Sequence, residues 1–266
     1  MRLTSKRGYM KTVKEITIPL FLSIGFIAMF CSMSTHNTTN WATIPSFTSH
    51  STSPRPNLLS LPKTCRIKRL SSDPYIVCIY DFLTDTEVEH LKTIGQPLLT
   101  RSMVVGEETG SAINAHRTSS SAFLNNVESE ITKNIQKRAA KLVRANHQDV
   151  EALQVVHYKD GQKYEPHYDF FDRSKEGGKT SIGQQGQRMA TLLVYLNDID
   201  DDAGGQTFFP KVLNGLKINP KKNMAVFWYN VLPNGKEDER TLHGGLPINK
   251  GEKWAVNIWI RDPKIL

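Results

Sequence analysis

Two segments that lie far apart in the chain carry side chains suited to binding a metal ion. His167 and Asp169 stand two positions apart in YEPHYDFF, and His243 lies in TLHGGLP beside two glycines. Residues two apart in a strand point to the same side, so His167 and Asp169 form half of a metal site. Two histidines and one carboxylate that leave other metal positions open suit non-haem Fe(II) and its oxygen chemistry. A lone His-x-Asp pair is also typical of a surface ion pair.

A lysine ten residues after His243 is a candidate anion-binding group. Lys253 begins the run KWAVNIWIR, whose apolar and tryptophan-rich character favours an ammonium that faces a cavity. Such a cation would bind the distal carboxylate of a dicarboxylic co-substrate whose other end chelates the metal. Tyr158 and Thr191 would add hydroxyl hydrogen bonds to the same carboxylate. The alternatives are a surface lysine on an edge strand and strand hydroxyls that are satisfied elsewhere.

The elements that must hold these residues are predicted to be mainly strands. Short β runs separated by Gly, Pro and Asn turns favour a sandwich or jelly roll over a parallel α/β sheet. The predicted strands are 74–82, 152–158, 188–197, 204–210, 216–220, 224–230 and 253–261.

Two helices and one long loop complete the predicted elements. Thr84 caps the first helix, with Glu87 at the capping-box position, and a second helix lies near 127–145. The polar, Gly-rich segment 172–187 interrupts the strands. A loop of that length inside a compact domain is usually functional, for example as a mobile lid.

The composition is that of a globular protein with one good-sized domain. The chain has 266 residues, of which 39% are hydrophobic and 23% charged, which excludes a disordered, collagenous or polytopic membrane protein. Three cysteines are too few for a disulfide scaffold, although Cys65 and Cys78 could pair in an oxidising compartment. The net charge of +8 does not by itself indicate nucleic acid, because part of the basic excess precedes residue 16.

The amino-terminal sequence predicts a membrane topology. Residues 16–33 carry no charge and follow a basic tail, 1–15, which would stay cytosolic. We expect a single-pass type II protein of the endoplasmic reticulum membrane, with the Golgi as the alternative compartment, a lumenal stem at 34–70 and a folded domain at 71–266. A cleaved signal peptide is the alternative to the anchor. Asn37 begins a glycosylation sequon in the stem.

Four segments closely resemble the catalytic domain of prolyl 4-hydroxylases: YKDGQKYEPHYDFF, RMATLLVYLNDIDDDAGGQTFFP, PKKNMAVFWYN and LHGGLPINKGEKWAVNIWI. The resemblance covers about residues 71–262, and it includes the upstream DFLTDTEVEHL and HRTSSSAFL. It implies a mainly β fold with flanking helices, whose double-stranded β-helix (jelly-roll) dioxygenase core spans about 150–262.

The resemblance also implies roles for individual residues. The family's ligands, co-substrate contacts and peptide contacts fall on matching positions of this chain. They are His167, Asp169 and His243 for Fe(II); Lys253, Tyr158, Thr191 and Trp259 for 2-oxoglutarate; and Arg117 and Arg188 for the peptide. Arg261 departs from the pattern, because some short forms of the family carry His there.

The implied activity is hydroxylation of peptidyl proline at C4, with Fe(II), 2-oxoglutarate, O₂ and L-ascorbate, on proline-rich polypeptides of the secretory pathway. The chain resembles the short, membrane-anchored forms, which work without a separate β subunit, so we expect no obligatory disulfide-isomerase partner and no nucleic acid. A lysyl hydroxylase is the first alternative, but that family normally binds 2-oxoglutarate with Arg where this chain has Lys253. A nucleic-acid demethylase and a catalytically inactive module that binds proline-rich peptides are the others.

Overall fold

A computed structural model describes residues 55–105, 111–113, 116–125, 127 and 129–266. The predicted basic tail, the apolar run 16–33, Asn37 and most of the stem lie outside these residues. Within the described ranges, no helix is both long enough and apolar enough to cross a membrane.

The described residues form fourteen strands and three α-helices. The strands are β1 (Arg66–Ser72), β2 (Tyr75–Tyr80), β3 (Thr100–Arg101), β4 (Met103–Val105), β5 (Ser111–Ile113), β6 (Ser120–Phe123), β7 (Gln154–Tyr158), β8 (Tyr164–His167), β9 (Gln187–Tyr195), β10 (Thr207–Phe209), β11 (Leu216–Ile218), β12 (Ala225–Tyr229), β13 (His243–Gly245) and β14 (Lys253–Asp262). The helices are α1 (Asp85–Gly95), α2 (Glu130–Val143) and α3 (Glu176–Ile182).

Two antiparallel sheets make up the body of the fold. The larger has the strand order β1-β2-β12-β9-β14-β7-β6-β3, and the smaller has the order β11-β10-β13-β8. Strands β4 and β5 form a separate hairpin. The prediction of a mainly β, jelly-roll fold with flanking helices is confirmed.

The five central strands of the larger sheet, β2, β12, β9, β14 and β7, are buried on both faces, which explains their long apolar runs. Alternate residues of each strand point to opposite sides. Val77 and Ile79 therefore face a core that they share with α1 and α2. Ile76 and Val226 instead face a second core, between the two sheets, that contains Phe209 of the smaller sheet.

The first helix begins where its sequence predicts. The Thr84 hydroxyl accepts from the Glu87 backbone N–H at 3.2 Å, and the Glu87 carboxylate accepts from the Thr84 N–H at 2.9 Å. Glu87 also accepts from Arg138 of α2 at 2.7 Å. The two predicted helices are thereby joined by one ion pair.

The structure differs from the sequence prediction at one segment and answers one question that the sequence left open. The predicted loop 172–187 contains the short helix α3 rather than loop alone. Cys65 and Cys78 are both free thiols. Cys65 packs against the core that the larger sheet shares with α1 and α2, whereas Cys78 lies in the core between the two sheets. The two thiols are therefore on opposite sides of the larger sheet.

We predict that Thr84→Ala destabilises the domain by about 1 kcal/mol, because it removes the side-chain cap of α1. Urea unfolding of the purified protein measures the effect. Thr86→Ala is the matched control, since Thr86 is exposed in the first turn of the same helix and makes no cap. Equal losses from both substitutions would contradict the capping role.

Candidate metal centre and active-site cleft

The pairing of β13 with β8 places two histidines side by side. His243 lies opposite His167 in the antiparallel register. The Asp169 carboxylate is 3.7 Å from His167 Nε2 and 3.5 Å from His243 Nε2. One ligand atom from each of the three lies within 4.8 Å of the others. Strand β8 ends at His167, so a turn brings Asp169 to the same side, not the strand alternation that the sequence suggested.

Both imidazoles are held in the form that binds a metal. The Nδ1–H of His167 donates to the backbone carbonyl of Glu165, and that of His243 donates to the carbonyl of Thr241, each at 2.9 Å. A carbonyl only accepts, so each Nδ1 carries a proton, which leaves Nε2 as the ring nitrogen that can bind a metal. Burial, with a smaller contribution from His243, lowers the pKa of His167 to about 3, which keeps this ring neutral.

A chain of buried hydrogen bonds orients the carboxylate. The Thr191 hydroxyl donates to Asp169 Oδ2 at 2.8 Å and accepts from Asn230 Nδ2 at 2.9 Å. Trp228 Nε1 donates to Asn230 Oδ1 at 2.8 Å. Burial alone would raise the pKa of Asp169, yet the two histidines, Arg188 and the Thr191 hydroxyl hold it below its usual value. The carboxylate is therefore ionised and fixed in orientation, as a metal ligand must be.

Thr191 and Trp259 lie away from the position that their predicted co-substrate role requires. The one proton of the Thr191 hydroxyl is given to Asp169, so it is not available to a second carboxylate. Thr191 pairs with Trp259, which is six residues along β14 from Lys253, or roughly 20 Å at the rise of a strand. The sequence shows the residue types but not the sheet register, and the register sets Thr191 of β9 opposite Trp259 of β14 rather than beside Lys253.

Lys253 is a buried cation without a counter-charge in its surroundings. It is 3% exposed, and its Nζ donates to the carbonyl of Gly205 at 2.7 Å. No carboxylate of the described residues pairs with it, whereas the rings of Tyr158 and Tyr195 lie 5.5 and 5.3 Å from Nζ. Burial lowers the pKa of Lys253 to about 7. A buried ammonium without a paired carboxylate favours the binding of an anionic ligand, because the ligand would supply the missing counter-charge.

Sequence reasoning missed one hydroxyl near Lys253. Thr207 is buried, lines the same cleft and lies 2.7 Å from the hydroxyl of Tyr195 through its Oγ1. It follows Gly205 by two positions in GGQTFFP. That spacing is the only sequence signal, and it gains meaning once the structure shows the contact between Lys253 and Gly205.

A cleft of about 1360 Å³ is lined by the three triad residues, Lys253 and Thr207. At the end of the cleft away from Lys253, called the outer end below, the Arg188 guanidinium lies 3.6 Å from the ring centroid of Trp259. The indole Nε1 of Trp259 is buried and has no hydrogen-bond partner within the described structure. Arg117 stacks over Tyr164 at 4.7 Å and donates to the carbonyl of Met103 at 3.2 Å. The cleft is several times larger than a small dicarboxylate, so it has room for an extended chain as well.

Comparison with known proteins agrees with this geometry. A sequence model of the 2OG-Fe(II) oxygenase superfamily matches residues 153–261. Prolyl 4-hydroxylase 5 of Arabidopsis thaliana is 37% identical over 214 residues, covering 73% of this chain and 70% of that protein. Prolyl 4-hydroxylase subunit alpha-1 of Gallus gallus is 40% identical over 190 residues, which cover 71% of this chain but only 36% of the chicken subunit.

A solved structure shows the same architecture. A viral collagen prolyl hydroxylase from Paramecium bursaria Chlorella virus-1, crystallised with 2-oxoglutarate, superimposes with a TM-score of 0.54 at 31% identity, covering 70% of this chain and 94% of that one. Fold, ligand set and superfamily match together define an oxygenase that uses Fe(II), 2-oxoglutarate and O₂. Because the Arabidopsis relative is 37% identical and matches over more than two thirds of each protein, this chain belongs to the prolyl 4-hydroxylase family.

We predict that Gly244→Ala weakens Fe(II) binding by about ten- to a hundredfold, the range seen when the support of a metal ligand is lost. A Cβ at Gly244 would lie 2.8 Å from the Tyr164 carbonyl oxygen and would push β13 away from β8. Anaerobic Fe(II) titration measures the effect. Gly245→Ala is the control, since a Cβ there would lie 3.8 Å from the backbone nitrogen of Tyr164, an ordinary contact distance. Equal iron affinity in both variants would show that the strand spacing does not set the site.

We predict that 2-oxoglutarate binding weakens by about tenfold per pH unit above pH 7, because a growing fraction of Lys253 is then neutral before the ligand binds. The depressed pKa sets the sign: below about 7 the ammonium is already charged, and above it binding must take up a proton. Calorimetry in buffers of different ionisation enthalpy measures both the affinity for 2-oxoglutarate and the number of protons taken up on binding. Lys253→Arg stays charged and should bind weakly with a flat profile. A flat wild-type profile would contradict this assignment.

Proposed function

We propose that this chain hydroxylates C4 of prolines in proline-rich polypeptides. One O₂ is consumed: one oxygen atom enters the C4–H bond as hydroxyl, and the other enters succinate as 2-oxoglutarate loses CO₂. The observation that carries the proposal is the buried triad with an uncompensated lysine in one cleft, on a chain that belongs to the prolyl 4-hydroxylase family.

The triad and Lys253 would hold opposite ends of the reaction's small-molecule partner. His167, Asp169 and His243 would bind Fe(II) through two Nε2 atoms and a carboxylate, the donor set that suits this ion. The metal, when bound, supplies the activation of O₂ and the oxidation of the co-substrate. Lys253 would bind the distal carboxylate of 2-oxoglutarate, with Tyr158 as the predicted hydroxyl partner.

The outer end of the cleft would take the peptide. Trp259 lines the cleft with the Arg188 guanidinium stacked on its ring, and its buried indole N–H has no partner among the described residues. An extended polyproline II chain offers regularly spaced, unpaired carbonyls and flat rings to such groups. Arg117, which is buried, would act at the wall of the peptide site through its contacts with Met103 and Tyr164. L-Ascorbate would restore iron that is oxidised in turnovers without peptide.

We predict that the purified protein releases succinate with Fe(II), 2-oxoglutarate, ascorbate and a poly-L-proline peptide, and that mass spectrometry finds one added oxygen on proline. Lys253→Ala should weaken 2-oxoglutarate binding by a few hundred- to a few thousandfold, which corresponds to roughly 3–5 kcal/mol for a lost buried charge partner. Iron binding should survive that change.

A lysine-containing peptide without proline is the control substrate. Hydroxylation of lysine instead of proline would replace the proposed function by the lysyl alternative. Peptide binding without succinate release from fully iron-loaded protein would replace it by the inactive binding module.

We also propose that residues 16–33 anchor the chain in the endoplasmic reticulum membrane, with the catalytic domain in the lumen and proline-rich secretory polypeptides as substrates. Support comes from the sequence: eighteen uncharged residues follow a basic tail, a length of roughly 27 Å as a helix.

In microsomes, we predict that external protease trims only the basic tail and that carbonate extraction leaves the protein in the membrane pellet. Replacing Ile18, Leu20, Phe21 and Leu22 with charged residues should release it or block its insertion. Release of the unmodified chain by carbonate would favour a cleaved signal peptide.

A further inference from the structure

The segment 172–187, called the wall segment below, forms one side of the active-site cleft. Asp172, Ser174 and Lys175 are among its cleft-lining residues. Two tethers hold the base of the segment: Gln187 Oε1 accepts from the Phe171 N–H, and Gln187 Nε2 donates to the Phe171 carbonyl, both at 2.7 Å. The sequence suggested a mobile lid, whereas the structure shows a segment that is closed at its base.

One buried guanidinium binds the carboxyl-terminal half of the wall segment. Arg261, 6% exposed, donates from Nη2 to the carbonyls of Ser181 at 2.6 Å and Ile182 at 3.0 Å, and from Nε to the carbonyl of Gly186 at 2.7 Å. The first two carbonyls belong to the last turn of α3, where no intrahelical donor exists. A cation at that end also complements the helix dipole. Arg261 therefore caps α3 and fixes the return to β9.

The same guanidinium is coupled to the candidate peptide site. Its Nη1 donates to Glu151 Oε1 at 3.0 Å, and the same oxygen accepts from Arg188 Nε at 2.8 Å. Glu151 Oε2 accepts from Arg188 Nη2 at 2.7 Å. Both guanidiniums lie within 5 Å of the Phe171 ring, at 4.8 and 4.7 Å. A single partly buried carboxylate thus links the arginine that holds the wall with the arginine that stacks on Trp259.

We infer that Arg261 is a positioning residue for peptide binding: it holds the wall segment against the cleft and, through Glu151, keeps Arg188 over Trp259. The inference rests on the proposed function, because it assigns the outer cleft to the peptide. Arg261 would thus set the position of both the wall segment and Arg188 at the peptide site.

The position of Arg261 predicts a selective defect. Lysine at 261 keeps the charge but has one compact ammonium, which cannot reach the two helix carbonyls, Gly186 and Glu151 together. The wall segment should then open, and Glu151 should hold Arg188 less firmly. Lys253 lies near the other end of β14, eight residues away, so the 2-oxoglutarate site should be unaffected.

The experiment compares Arg261→Lys and Arg261→Gln with the wild-type full chain. The Michaelis constant for a poly-L-proline peptide should rise by about tenfold or more, the scale expected when a substrate-positioning wall is displaced. The Michaelis constant for 2-oxoglutarate should not change, because Lys253 lies eight residues away along β14. Trypsin should cleave faster after Arg173, Lys175 and Lys179, as read by mass spectrometry of the fragments.

Arg138→Lys is the matched control. Arg138 also binds a carboxylate and a backbone carbonyl, through Glu87 and Phe82, but it joins α1 and α2 away from the cleft. It should lower the unfolding temperature without altering the peptide constant or the trypsin pattern. The inference would be overturned if the Michaelis constant for the peptide were the same in the Arg261 variants as in the Arg138 variant. If the wild type itself forms no hydroxyproline, the proposed function fails instead.

A second measurement needs no substitution. Hydrogen exchange of the wild-type chain, with Fe(II) and 2-oxoglutarate but without O₂, should slow in residues 172–187 when the poly-L-proline peptide is added. It should not slow in α1, which lies on the far side of the larger sheet. Unchanged exchange in the wall segment at saturating peptide would also overturn the inference.

Discussion

The register between β8 and β13 is the constraint on which the rest of the site depends. It sets His167 opposite His243 although the two belong to segments far apart in the chain. Close strand approach is possible there because Gly244 has no Cβ to meet the backbone of β8. Once the two imidazoles face each other, the turn after β8 needs only two residues to bring Asp169 between them. The metal site is therefore a product of sheet pairing, and the larger sheet supplies its support through Thr191.

Electrostatics divides the cleft into two ends. Around Lys253, a cation is buried among tyrosine rings with a carbonyl as its polar partner, an arrangement suited to a ligand that carries its own negative charge. Around Arg188, the guanidinium pairs with Glu151, a carboxylate that it shares with Arg261, and it offers a flat surface stacked on Trp259. The ammonium of Lys253, which has no counter-charge among the described residues, would thus direct the anionic co-substrate to its own end and leave the stacked end to a neutral, proline-rich chain.

The sequence predicted the fold well because the central strands of the larger sheet are buried on both faces and stand out in the sequence as apolar runs between Gly, Pro and Asn turns. The capping box at Thr84 was equally readable, since it depends on local contacts only. The sequence did not reveal that Thr191 and Trp259 lie opposite each other, six residues along β14 from Lys253, because spacing along a chain does not show which residues are neighbours across a sheet. Thr207 was missed for the same reason. The end of the helix at 176–182 is bound by Arg261, a tertiary contact that no local pattern shows.

The central claim is that the triad and Lys253 hold the two ends of one dicarboxylate. Anaerobic calorimetry of 2-oxoglutarate binding, with and without Fe(II), in the wild type and in Lys253→Ala, tests it most directly. The account predicts tight binding only when iron and Lys253 are both present, with the loss of either removing most of the affinity and the loss of both costing less than the sum of the two. Equal affinity with and without iron in the wild type would contradict it.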